Sequence, residues 1–156
     1  MEKKELMKEL EEKFDLMRKE LGFKSNLEEL DEVFFIKDAI LSAGFVSDKL
    51  SRQICGRIIE NFQGWAIHLH TLILPDPMNL IISNESKMLS EGERKDMLKL
   101  VGELAGFANQ STLIGLTKDK KREAEFIDGS LAFWNKEFKP VMIRLIEKIE
   151  KAWKKE

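Results

Sequence analysis

The sequence predicts an all-α protein on three observations. Apolar residues recur at spacings of three and four along most of the chain, helix-capping signatures divide it, and neither βαβ alternation nor a hairpin dipeptide interrupts it. The length of 156 residues is that of one domain, so residues 1–156 are expected to form a single helical domain that buries about 68–70% of its unfolded surface. The expected architecture is a helical bundle of four long helices plus a short helix, with the last helix kinked at Pro140.

Leu6, Leu10, Phe14, Met17 and Leu21 make a narrow stripe along the first helix, and Gly22 supplies its C-terminal cap. Ser25 followed by Glu28 has capping-box spacing for a second helix, Asn26 to about Ala43. Its later half, VFFIKDAILSA, is apolar on nearly every side and is expected to be central; Gly44 stops it. Ser47 and Asp48 open a third helix that runs to Leu74, where Pro75 ends it. Asp76 before Pro77 caps a short piece, Pro77 to about Ser83. Ser90 with Glu93 repeats the capping box and opens a fourth helix through Met97, Val101, Leu104 and Ala108 towards Gly115.

The last segment, Lys118 to about Lys154, contains Pro140. At a step of about 100° per residue, Ala124, Ile127, Leu131, Trp134, Phe138, Val141, Met142, Leu145, Ile149 and Trp153 share one arc across the proline. This predicts one bent helix, with Pro140 on the far side where water replaces the lost hydrogen bond. Phe126 and Phe133 fall opposite that arc. A bundle that buries the main stripe leaves them out, so they are expected to form an exposed interaction face.

With 43% hydrophobic and 35% charged residues and a formal charge of -2, the composition excludes a disordered or strongly basic chain and fits a soluble globular protein. The lone Cys55 excludes an internal disulfide; beside Ile54 and Ile58 it reads as a small buried hydrophobe in a reducing compartment. The opening MEKKELMKELEEKF alternates charges too densely for a signal peptide, and no apolar run approaches the roughly 18 residues of a membrane span. A cytoplasmic protein with no membrane partner is expected.

Charge is uneven along the chain. Residues 1–40 carry 8 Lys/Arg against 12 Asp/Glu, a net of -4, whereas residues 117–156 carry 11 against 8, a net of +3. An acidic first helix and a basic last helix are expected to pack side by side or across a dimer. Lys118, Lys120, Lys121 and Arg122 are interleaved with Asp119, Glu123 and Glu125, which repel phosphates, so a nucleic-acid partner is not expected.

His68 and His70 are the only histidines. One residue apart on a helix, they point about 160° away from each other and cannot share a metal, since helical ligand pairs sit at i, i+3 or i, i+4. His70 is expected as a hydrogen-bonded boundary residue. Arg57, Glu60, Asn61, Gly64 and His68 form a polar stripe on the third helix, expected as a solvated face or the wall of a pocket. No E-x-x-H pair is present for a di-iron centre, and no glycine-rich loop follows a strand.

If the second and third helices fold as an antiparallel hairpin near Phe45, Glu28, Glu29 and Glu32 come level with Glu60 and Gln63, and Glu28 and Glu32 at i, i+4 share a face able to hold magnesium. E-E-L-D-E at Glu28 to Glu32, followed by E-N-F-Q at Glu60 to Gln63, resembles the pattern of MazG-like all-α nucleotide pyrophosphohydrolases. Gln63 stands where that family has an aspartate. The resemblance implies a Mg-dependent nucleoside triphosphate pyrophosphohydrolase with Glu28, Glu29, Glu32 and Glu60 on the metal. Arg57, Asn61 and His68 would then line the substrate pocket. The preferred expectation is different: a non-catalytic helical interaction or scaffold protein, without cofactor, that self-associates or docks a protein partner through Phe126 and Phe133.

Overall fold

The computed structural model describes residues 2–155. They contain α1 (Lys3–Leu21), α2 (Leu27–Phe34), α3 (Ile36–Ala43), α4 (Leu50–Ile73), α5 (Leu80–Lys87), α6 (Glu91–Thr117), α7 (Lys120–Phe133), a π-helical turn (Trp134–Phe138) and α8 (Lys139–Lys154). The fold is all-α, with no strand among the described residues. Two compact units emerge: one from residues up to Asn61 with Phe107–Leu131, the other from Phe62–Gly106 with residues from Ala132 onward. α4, α6 and the last helix each supply residues to both units.

In the first unit, α1 buries Leu6, Leu10 and Phe14, the inner part of its predicted stripe. Gly22 ends the helix at φ 82°, a left-handed value that favours glycine, and its N–H bonds the Arg18 carbonyl. The chain then turns so that Phe23 meets Phe14 edge-on at 5.7 Å.

The expected second helix is broken in two. Phe35 takes φ 55°, and α3 restarts at Ile36. The Asp31 carboxylate accepts the Lys37 N–H at 2.8 Å, so the cap of α3 comes from the helix before it. The physical reason lies in burial: Phe34 and Ile36, two apart, both point inward, which one regular helix cannot arrange. The cap of α2 also moves by one residue, because Asn26 rather than Ser25 accepts the Glu29 N–H, at 2.8 Å.

α7 is the central helix of this unit. Arg52 of α4 reaches its Glu123, Phe107 of α6 meets its Phe126 edge-on at 6.0 Å, and the loop before α2 bonds its Asp128. Glu123, Ala124, Phe126 and Ile127 are buried against these neighbours, while Lys121, Arg122 and Glu125 stay exposed. That overturns the expected exposure of Phe126, which is 2% accessible.

In the second unit, Ser90 and Glu93 form the predicted capping box: the Ser90 N–H reaches Glu93 Oε1 at 2.8 Å and the Glu93 N–H reaches Ser90 Oγ at 3.1 Å. The short helix lies three residues later than expected, because Asn79 caps it through the Ile82 N–H. Arg94 ties the corner together by donating to the Ser86 carbonyl and, at 3.5 Å, to that of Ile73.

The last helix is continuous through Pro140 as far as Lys154. Its irregularity is the π-helical turn just upstream, where the Lys139 N–H bonds the Trp134 carbonyl five residues back. The wider turn adds a residue to the repeat ahead of a proline that cannot donate to the ladder. It also brings positions five apart onto one face. Phe133 and Phe138 are therefore both buried, with ring centroids 6.0 Å apart, and Phe133 packs edge-on to Phe62 at 5.8 Å. The expected exposure of Phe133 is thus corrected to 6%. The face it shares with Phe126, seven residues earlier, is packed before the wider turn begins.

Candidate functional site

The residues singled out by sequence do not assemble into one centre. Glu28, Glu29, Glu32 and Glu60 are all exposed. Lys37 pairs with Glu28 at 3.0 Å, Asn26 bonds Glu29 at 2.7 Å, and Arg57 pairs with Glu60 at 3.3 Å. Among the described residues, no group of three or more His, Cys, Asp or Glu side chains is placed to hold a metal ion. Arg57 also donates from Nε to the Phe34 carbonyl at 3.0 Å, where it caps the end of α2. Asn61 Oδ1 is buried with no hydrogen-bond partner among the described residues.

His68 is half-buried with its ring edge-on to Trp65 at 5.8 Å, and its carbonyl accepts the Thr71 hydroxyl; His70 is exposed, not at a boundary. Cys55 is buried, and burial pushes its thiol up to about 12, with the Glu123 charge adding to the effect. It stays a thiol at neutral pH and is no nucleophile.

Two concave features stand out instead. In the second unit, Trp65, Trp134, Phe138, Met142, Ile143 and Ile146 line an apolar cleft of about 300 Å³, with Lys139 and Glu147 also in its wall. The π-helical turn builds its floor: Trp134 stacks on Phe138 at 4.9 Å and 23°, and Trp65 meets Phe138 edge-on at 5.1 Å. α8 buries Met142, Leu145 and Ile149, yet Ile143 and Ile146 remain exposed beside that face.

In the first unit, the second half of α1, the segment leading into α4, the start of α4, the end of α6 and the start of α7 line a half-open cavity of about 530 Å³. Its walls mix Leu16, Met17, Leu50 and Ile114 with five cations, Lys13, Lys49, Arg52, Lys118 and Lys120, and three acids, Glu20, Asp48 and Glu123. Arg52 is fixed in place there. Nη1 lies 3.4 Å from the buried Glu123, Nη2 lies 3.3 Å from the Ser111 carbonyl, and a Cβ at Gly115 would stand 3.3 Å from Nη2. A side chain at 115 would press the guanidinium a few tenths of an ångström away from α6.

Sequence reading placed Trp134, Phe138 and Met142 on one apolar arc and so treated them as core; Trp134 is instead half-buried and, with Trp65 of α4, lines the cleft. Of the basic run considered for nucleic acid, Lys120 pairs with Glu20 and Arg122 with Asp119. No helix is long and apolar enough to cross a membrane among the described residues. No family model matches the chain, and no curated protein or solved structure does either.

Proposed function

We propose that this protein is a non-catalytic helical interaction module whose aromatic cleft receives the α4–α5 corner of a second copy. The observation that carries the reading is that one unit bears both halves of such a contact. Leu74, Met78, Leu80 and Ile81 are 68%, 87%, 74% and 63% exposed, a run of large apolar side chains with nothing covering it. Residues 75–91 around that corner carry three Asp/Glu against one Lys, a net of -2, whereas α8 beside the cleft carries five Lys/Arg against two Glu, a net of +3. Apolar meets apolar and the flanking charges are of opposite sign. Each copy owns both surfaces, and a twofold pair in which each gives its corner and receives the other's satisfies both contacts at once.

The mass in solution tests this. Wild-type protein is expected to run as a dimer by sedimentation or light scattering. Ile143→Glu with Ile146→Glu, and separately Met78→Glu with Leu80→Glu, should each give a monomer of unchanged helical content. Mixing the two monomeric variants leaves one intact contact of the pair, so a weak heterodimer should form. A wild type that stays monomeric at the highest attainable concentration, or variants that leave the mass unchanged, would end the proposal.

A further inference from the structure

We infer that the cavity of the first unit is a binding site for a small amphipathic anion, an aliphatic chain ending in a single carboxylate. Its volume of about 530 Å³ lies in the range of roughly 300–1,000 Å³ typical of small-molecule sites, which are likewise mostly apolar with a few converging polar groups. The apolar portion is real surface: Leu16 lines it at 69% exposure on a helix whose Leu6 and Leu10 are buried.

The polar portion sorts itself by pairing. Glu123 is matched by Arg52, Glu20 by Lys120, and Asp48 by Lys13. That accounts for all three acids, leaving Lys49 and Lys118 at the wall with no ion pair among the described residues. Arg52 has spent two N–H groups on Glu123 and Ser111, and a guanidinium fork carries more. The first turn of α4, 24 residues long, adds the positive end of its dipole to the same wall. A carboxylate carried on a chain is expected rather than a bare inorganic anion, because the exposed Leu16 in the same wall is covered only by a ligand that brings apolar surface with its charge.

A strained backbone marks the same place. Lys118 takes φ 59°, where glycine is favoured, yet a lysine occupies it at the cavity rim. This permits a clean test, since Lys118→Gly removes the cation and relieves the strain at once. Calorimetric titration of the whole protein with decanoate, below its micelle concentration, should show one saturable site. Lys118→Gly should weaken decanoate by about threefold to tenfold, the loss of one exposed charge contact, while raising the melting temperature. Leu16→Glu, on an exposed side chain that folding does not need, should abolish binding.

Decanol, with the same chain and no charge, should bind at least about tenfold more weakly. Inorganic phosphate should not compete. Absence of saturable decanoate binding, decanol equal to decanoate, unchanged affinity in both variants, or phosphate as effective a ligand as decanoate would each overturn the inference. Since every residue involved lies in the first unit, failure here leaves the proposed self-association of the second unit standing.

Discussion

Asp128 ties the connection between α1 and α2 to the centre of the first unit with a single carboxylate. It accepts the Lys24 N–H at 2.9 Å, the Ser25 N–H at 2.9 Å and the Ser25 hydroxyl at 2.6 Å, and Ser25 is buried. Asp128→Ala leaves those donors without their acceptor and is expected to cost about 2 kcal/mol in urea denaturation; Asp128→Asn, which keeps one acceptor oxygen, should recover part of it. A loss below about 0.5 kcal/mol would mean the loop is held by packing alone. The same carboxylate explains a misreading. Ser25 and Glu28 have capping-box spacing, but Asp128, 103 residues further on, takes Ser25, so Asn26 caps the helix instead. The box at Ser90 and Glu93 was legible because both partners are local and no distant group competes.

At the scale of elements, the breaks follow from which faces must be buried. α2 and α3 meet at the left-handed Phe35, and the Asp31 side chain supplies the cap that Phe35 does not. Asp31→Ala should therefore lower stability by about 1 kcal/mol. Amide exchange should locate the effect: protection falls at the start of α3, around Lys37, while α2 keeps its own cap at Asn26. Equal losses in both helices would show that they unfold as one piece. Continuity of the last helix through Pro140 was legible, since its apolar arc holds phase on both sides. The π-helical turn was not, because a constant angular step has no place for an inserted residue. Within the turn Trp134 stacks on Phe138 and lines the cleft with Trp65, whereas Phe126 and Phe133 upstream of it are buried by Phe107 of α6 and Phe62 of α4.

For the molecule as a whole, two glutamates of the second unit give stability opposite dependences on pH. Lys148 bonds Glu93 and, with the Ser90 N–H, holds its carboxyl below the ordinary 4.5. A carboxylate stabilised in its charged form contributes above its unfolded pKa and stops contributing as pH falls through the folded value. Glu103 has the reverse bias: its hydrogen bond with Glu137, then burial, then the Glu137 charge raise its pKa above 4.5, with Lys99 opposing. Its contribution is complete below 4.5 and is lost as pH rises through the folded value, where two carboxylates are left facing each other. At neutral pH, Glu103→Gln should therefore be more stable than wild type, because the amide keeps a donor for Glu137 and carries no charge. Its advantage should vanish as the solution is acidified below 4.5. Glu93→Gln should behave as the mirror image, less stable than wild type at neutral pH and equal to it once acid has protonated the folded Glu93. Denaturation midpoints of the three proteins across the acidic range decide the matter: parallel curves would mean that neither pair titrates with folding, whereas curves that converge only in acid would assign the pH dependence to these two glutamates.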